Sequence, residues 1–144
     1  MPLGKNGYFY PTVQIPTVSS TKTELLFISG FMYTCGEELS QNDTVYLNNN
    51  GKIYRTNIFS ISSSFVIGFC EKNAITDSEV FIFSAGQTIN NFSGLSTGSR
   101  YFLSQSFGKI STIPPNEKNT TIYQVGIAKS TTELIFLPQP LIIN

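Results

Sequence analysis

The sequence predicts an all-β protein, a sandwich or small barrel built from two related units of about 55 residues that follow a starter strand. The main observation is one segment that occurs three times, as TKTELLFI (21–28), TDSEVFIF (76–83) and TTELIFL (131–137). Its glutamates, Glu24, Glu79 and Glu133, are roughly 55 residues apart. A second observation is that no stretch of the chain has a sustained helical period. Together these features indicate a repeated β-rich unit.

The repeat also predicts the domain organisation. Residues 1–20 contain Pro2, Pro11 and Pro16 and are expected to form an extended arm, because proline removes backbone donors and favours extended neighbours. Residues 21–144 are expected to form a single β domain, with the two copies at about 36–86 and 92–137 and a short apolar tail at the end. Units of this size are marginal alone, so we expect the copies to share one core.

Both copies are expected to begin with a hairpin. In the first copy, Asn50-Gly51 separates two short β-rich runs and predicts a type I′ turn, which needs positive φ at both central residues. In the second copy the loop is one residue longer and contains Phe107-Gly108, which favours a glycine-containing bulge turn. Lys52 and Lys109 follow the two glycines, and we interpret them as solvated lysines that protect edge strands.

The later runs in each copy are apolar at nearly every position. They are residues 65–69 and 80–83 in the first copy, and 122–128 and 134–137 in the second. Such runs indicate strands that are covered on both faces, within the fold or at a subunit interface. The Ser-rich segment 59–64 is expected to be a loop. In total the sequence predicts nine to eleven short strands.

The composition restricts the kinds of partner. The chain has 144 residues, a formal net charge of zero and only 12% charged residues. A near-neutral surface tolerates dense packing against other subunits, which suits a component of an assembly. No basic stripe indicates nucleic acid, and no apolar window approaches the roughly 20 residues of a membrane span. We therefore expect neither nucleic-acid binding nor membrane insertion.

The chain contains no histidine, which removes the commonest general base and metal ligand. Cys35 and Cys70 lack metal-ligand spacing, and we expect two buried, unreactive thiols. The recurring glutamates could form a cation site, but they are more simply polar residues that precede buried strands. Glu37 and Glu38 are adjacent and a poor pair for glycoside cleavage. We predict no enzyme activity, no catalytic residues, no cofactor and no metal.

One family resemblance rests mainly on the second copy. Its pattern consists of GLSTGSRYFLS (94–104), GKIS (108–111), Pro114-Pro115 and QVGIAKS (124–130). The companion pattern in the first copy consists of NDTVYL (42–47), GKIY (51–54) and VIG (66–68). These patterns resemble the repeated β-modules of tailed-bacteriophage virion proteins, such as head-decoration proteins, head fibres and small domains of tail fibres. The arm and the 59–64 loop do not match them.

The resemblance implies a structural virion protein, made in the host cytoplasm and displayed on the capsid as a decoration protein or head-fibre subunit. It implies a homo-oligomer, by analogy a trimer, bound to a capsid or other virion protein. We expect attachment through the N-terminal arm, which contains Tyr8, Phe9 and Tyr10. The apolar tail, with Leu141, Ile142 and Ile143, has no visible internal partner and is expected to pack on a neighbouring subunit. The alternative is a module of a tail fibre or tail-associated protein that binds host-surface glycan through tyrosine and asparagine side chains.

Overall fold

A computed structural model describes residues 30–139 and 142–144, and it confirms the all-β prediction. These parts contain twelve strands and one helical turn, slightly more strands than expected. The first half contains β1 (Phe31–Cys35), β2 (Thr44–Leu47), β3 (Lys52–Arg55), the turn α1 (Ile61–Ser64), β4 (Gly68–Cys70) and β5 (Glu79–Phe83). The second half contains β6 (Thr88–Ile89), β7 (Arg100–Leu103), β8 (Ile110–Ser111), β9 (Thr121–Ile122), β10 (Gln124–Ala128), β11 (Leu134–Phe136) and β12 (Ile142–Ile143). The arm and the expected starter strand lie outside the described residues.

The first half closes into a five-stranded barrel in the order β1-β3-β2-β4-β5. The neighbours are antiparallel except β1 and β3, which run parallel and pair Thr34 with Lys52 and Cys35 with Ile53. This parallel pair closes the sheet, because β1 also pairs with β5 along the other edge. Closure leaves the barrel strands without a long unpaired edge.

The second half repeats this strand order without closing. Its sheet runs β6-β11-β10-β7-β8, which matches β1-β5-β4-β2-β3 of the barrel strand by strand. Here the strands equivalent to β1 and β3 are only two residues long, and β6 and β8 do not pair in the described part of the chain. The repeated sequence pattern thus corresponds to two sheets of the same order, one closed and one open.

The buried residues form two cores. One fills the barrel and includes Cys35, Ile53, Cys70 and Val80. The other lies between the two halves and consists of Ile58, Val66, Phe69, Ile89, Leu95, Tyr101, Leu103, Tyr123, Val125, Ala128, Leu134 and Phe136. The expected shared core is therefore present, and the barrel encloses a second core that the sequence did not predict.

Strand β4 connects the two cores. Its three residues are all buried, so this strand is covered on both faces. The expectation of two covered faces is wrong for the runs in β5 and β11, where buried residues alternate with half-buried ones. Because successive side chains point to opposite faces, Cys70 packs inside the barrel and Phe69 packs in the shared core. The Phe69 ring meets that of Phe136 edge to face, with 5.1 Å between centroids.

The predicted type I′ turn at Asn50-Gly51 is wrong, although the hairpin is present. Gly51 has a φ of +83°, but Asn50 is not among the residues with positive φ. The Gly51 amide donates to the Asn48 carbonyl at 3.0 Å, and the Asn48 amide donates to the Lys52 carbonyl at 2.9 Å. The loop therefore has three residues, 49–51, and is of the kind in which a type I turn is followed by a glycine in the left-handed conformation.

The Ser-rich segment is a hydrogen-bonded helical turn and not the open loop we expected. Ser60 caps α1, since its hydroxyl accepts from the Ser63 amide at 3.2 Å. The hydroxyls of Ser63 and Ser64 donate to the Asn57 carbonyl at 3.1 and 2.9 Å, and both residues are buried. Four residues are too few for a helical period to be visible in the sequence.

The C-terminal tail has an internal partner, contrary to expectation. Strand β12 pairs with β9, with Ile142 opposite Ile122 and Ile143 opposite Thr121. The pairing satisfies backbone groups but leaves the side chains of Ile142 and Ile143 61% and 56% exposed. Leu141 lies outside the described residues.

Replacing Gly51 with valine should reduce the free energy of unfolding by about 1–3 kcal/mol, because a β-branched residue is strongly disfavoured at positive φ. A Cβ at this position would meet no atom within 4 Å, so the loss would report backbone conformation alone. Chemical denaturation measures the effect. Gly51→Asn is the control, since asparagine tolerates this conformation, and equal losses for both variants would contradict the explanation.

Candidate functional site

The hairpin turn of the second unit docks onto the first unit. The Gly108 amide donates to the Thr56 carbonyl at 2.9 Å, and the Gly108 carbonyl accepts from the Thr44 amide at 3.0 Å. Gly108 has a φ of +73°, and a Cβ there would lie 3.0 Å from Cγ of Arg55. The positive φ therefore favours glycine, and the Arg55 side chain would have to shift slightly to admit a Cβ.

An ion pair with one buried and one exposed partner lies beside this turn. Lys109 Nζ donates to Oδ1 of Asp43 at 2.8 Å, while the Ser40 amide donates to Oδ2 at 2.8 Å. The Asp43 residue is 1% exposed, so its carboxylate depends on these donors. The Lys109 side chain is 55% exposed, as expected for a solvated lysine, although its ammonium group also binds the buried Asp43. Lys52 also has a partner, Asp77 at 2.9 Å, but that pair is exposed.

The docked turn creates a groove along the seam between the units, here called the seam groove. It consists of two adjoining cavities of about 440 and 310 Å3, which share Gln41, Asn42 and Asn91. The larger cavity is also lined by Phe92, Ser93, Gly94, Leu95, Tyr101, Gly108, Lys109 and Ile110, and the smaller by Glu71, Lys72, Phe83 and Asn90. Each volume is within the ~300–1,000 Å3 range of small-ligand sites.

Side-chain amides line the seam groove. Asn42 and Asn91 adopt φ values of +68° and +69°, a left-handed conformation that asparagine tolerates. The side-chain nitrogen of Asn42 donates to the backbone carbonyl of Asn90 at 3.1 Å. The side-chain nitrogen of Gln41 donates to the backbone carbonyl of Glu71 at 3.2 Å. These bonds hold two amides in place and leave their carbonyl oxygens as acceptors.

Aromatic rings form one wall of the groove. Tyr101 is nearly buried, and its hydroxyl accepts from the Ser96 amide at 2.8 Å. Phe92 is half-buried and meets Phe69 edge to face at 6.1 Å between centroids. The rings are fixed by the shared core, so the groove combines a rigid apolar wall with a polar rim.

A larger cleft of about 720 Å3 opens at the mouth of the barrel, and two of its charged residues, Glu37 and Arg55, are paired with each other. Oε2 of Glu37 accepts from the Arg55 amide at 2.8 Å, and Oε1 accepts from the Arg55 guanidinium at 3.1 Å. Glu38 and Glu79 also line it, with no aromatic ring. This pairing gives Glu37 a structural partner on β3.

The tyrosines divide between core and surface. Tyr101 and Tyr123 are buried, whereas Tyr46 and Tyr54 lie side by side on the outside of the barrel, 6.0 Å apart between centroids. Burial, and secondarily the charge of Glu37, raises the pKa of the Tyr46 hydroxyl. The Tyr54 hydroxyl accepts from the side-chain amide of Asn50 at 2.8 Å. Both residues are half-buried.

Both cysteines are buried and free, as predicted. Burial in the barrel core raises the pKa of Cys70 to about 11, and burial likewise raises the pKa of Cys35. The thiolate is the reactive form, so both side chains remain protonated and unreactive at neutral pH.

The predicted partner-binding residues are only partly placed. Tyr8, Phe9, Tyr10 and Leu141 lie outside the described residues, and Ile142 and Ile143 form β12. The sequence missed a second apolar surface, where Phe59 and Phe107 meet across the two units at 6.4 Å between centroids. Ile61, the first residue of α1, and Phe65, which directly follows α1, are also more than half exposed. Isolated apolar residues in Ser-rich and turn segments gave no sequence signal for this surface.

No known family model matches the chain, and no curated protein is significantly similar to it. In residues 30–139 and 142–144, no helix is long and apolar enough to cross a membrane. The same residues contain no group of three or more cysteine, aspartate or glutamate side chains that could hold a metal ion. The resemblance to phage β-modules therefore stays a prediction from the sequence.

Replacing Lys109 with methionine should reduce the free energy of unfolding by about 1–3 kcal/mol, because the buried Asp43 carboxylate loses its cationic donor. Urea denaturation of the purified chain measures the loss. Lys52→Met is the matched control, since its pair with Asp77 is exposed to solvent and should leave stability unchanged within error. Equal effects of the two substitutions would contradict a special role of the Asp43–Lys109 pair.

Native protein should react very slowly with iodoacetamide at neutral pH, because both thiols are buried and Cys70 has a raised pKa. In denaturant both cysteines should be alkylated rapidly, as mass spectrometry would show. Rapid labelling of the folded protein at either position would show that the barrel core opens readily.

Proposed function

We propose that this chain is a non-enzymatic structural protein of a tailed-phage particle, displayed on the capsid as a decoration protein or head-fibre subunit. The observation that carries the proposal is the pair of sheets with the same strand order, packed on one shared core. Two units fixed in this way make a compact, rigid module. Such a module suits display from a surface, and Glu37 in its acidic cleft is held by Arg55.

Association with other subunits is supported by charge and exposure. The chain has zero net charge, and several large apolar side chains in the described residues are more than half exposed. Phe59 and Phe107 form one such surface across the seam. Exposed apolar side chains of this size favour contact with another protein. We propose a homo-oligomer, a trimer by resemblance, attached to the particle through the N-terminal arm.

Deleting residues 1–16 should give a folded oligomer that no longer binds phage particles, because Tyr8, Phe9 and Tyr10 bury large apolar areas only on another surface. Co-sedimentation with undecorated particles measures binding, and light scattering measures the oligomer. Replacing the three aromatics with serine should have the same effect as the deletion.

Two results would count against this proposal. Full occupancy of particles by the truncated protein would show that the attachment site is not the arm. The C-terminal tail would then be the next candidate. A monomer of 15.9 kDa for the intact chain at micromolar concentration would argue against oligomerisation.

The second candidate function is host-surface glycan binding at a tail fibre or tail-associated protein. The observation that favours it is the seam groove, which is lined by both side-chain amides and aromatic rings. Carbohydrates present both hydroxyl groups and apolar C–H faces, and this combination of side chains complements both. The two candidates differ in the position of the protein on the particle, which labelling with an antibody in electron micrographs would locate.

A further inference from the structure

We propose that the seam groove is a binding site for a short, uncharged oligosaccharide. The inference deepens the second candidate function and rests on it, by naming the site, its residues and the class of glycan. It is carried by three properties of the groove, namely its amides, its aromatic wall and the balance of its charges.

The amides supply hydrogen bonds in both directions. Gln41, Asn42, Asn90 and Asn91 come from two separate turns, one in each unit, and meet only because the units dock. Asn91 is exposed at the centre of the groove, where its side chain makes no hydrogen bond to the described residues. An amide both donates and accepts, which matches the dual character of sugar hydroxyls.

The aromatic wall supplies apolar contact. Phe92 is half-buried in the larger cavity, with Tyr101 behind it, and Phe83 is half-buried in the smaller one. Their rings are held by core packing, so little side-chain entropy would be lost when a ligand binds. A flat, rigid ring beside fixed amides suits a sugar ring, which has one apolar face and a polar edge.

The charge balance favours an uncharged ligand. Lys109, the cation in the larger cavity, is paired with the buried Asp43 carboxylate. Glu71 and Lys72 lie together in the smaller cavity and carry opposite charges. With no excess of either sign, the groove has no basis for preferring an anionic polysaccharide. The barrel-mouth cleft is larger, but it lacks an aromatic ring and contains the Glu37–Arg55 pair.

The experiment is a titration of the full-length, isotope-labelled chain with a panel of neutral trisaccharides that contain hexose, N-acetylhexosamine or deoxyhexose units. Trigalacturonic acid serves as the anionic comparison. We expect at least one neutral trisaccharide to shift the amide resonances of Asn42, Asn91 and Phe92 in a saturable way. Shifts confined to Tyr46 and Tyr54 or to the barrel mouth, preference for the anion, or no shift with any sugar would each overturn the proposal.

A matched pair of variants separates recognition from folding. Asn91→Gly keeps the left-handed backbone and removes the amide, and it should weaken trisaccharide binding about tenfold. Asn119→Gly is the control, because Asn119 has a similar φ of +66° and is exposed but does not line the groove. Unchanged affinity in Asn91→Gly, or an equal loss in both variants, would overturn the assignment.

The glycan site and the structural role can fail separately. Asn91→Gly should bind particles as well as the unmodified chain does, whereas removal of residues 1–16 should leave trisaccharide binding intact. If no trisaccharide binds but particles are still decorated, the groove proposal is wrong and the structural proposal stands. If sugar binds but particles are not decorated, the structural proposal is wrong.

Discussion

The contact between the Gly108 turn and the first unit determines how the two sheets are arranged. Two backbone hydrogen bonds to Thr44 and Thr56 fix the position of the turn, and the Asp43–Lys109 pair fixes its orientation. The Asp43 carboxylate is buried in this arrangement, and separation of the units would remove its partner Lys109. The turn between β7 and β8 contacts Thr44, which begins β2, and Thr56, which follows β3. This contact sets the position of the second unit against the barrel. The shared core and the seam groove both depend on this position.

The two cores explain why the first unit is closed and the second is not. The barrel has its own interior, and β4 also presents Phe69 outward to the second sheet. That sheet covers its inner face with the shared core, so its strands need no closure to be buried. The short lengths of β6 and β8 fit this arrangement, since short edge strands expose few unpaired backbone groups. One repeated strand order therefore gives two different sheets.

The seam groove is a consequence of this packing and not of any local motif. Gln41 and Asn42 belong to the turn before β2, and Asn90 and Asn91 belong to the segment after β6. Ligand sites commonly form at such boundaries, where two rigid bodies leave a concave space that neither has alone. The rings of Phe92 and Tyr101 take part in both the core and the groove, so the same packing that stabilises the pair of units also orients the candidate site.

By itself, the sequence determined the all-β class, the repeated pattern, the hairpins and the burial of Cys35 and Cys70, because these follow from short-range alternation, turn glycines and apolar runs. It did not determine the turn type at Asn50-Gly51 or the helical turn at α1, where hydrogen bonds to neighbouring groups chose among conformations of similar energy. Only the tertiary structure decided that β12 pairs with β9 and that Lys109 reaches Asp43, 66 residues away. It also decided which amides meet in the groove. The physical reason is that spacing along a chain encodes which face a residue occupies, whereas its distant partner is chosen by the packing of the complete fold.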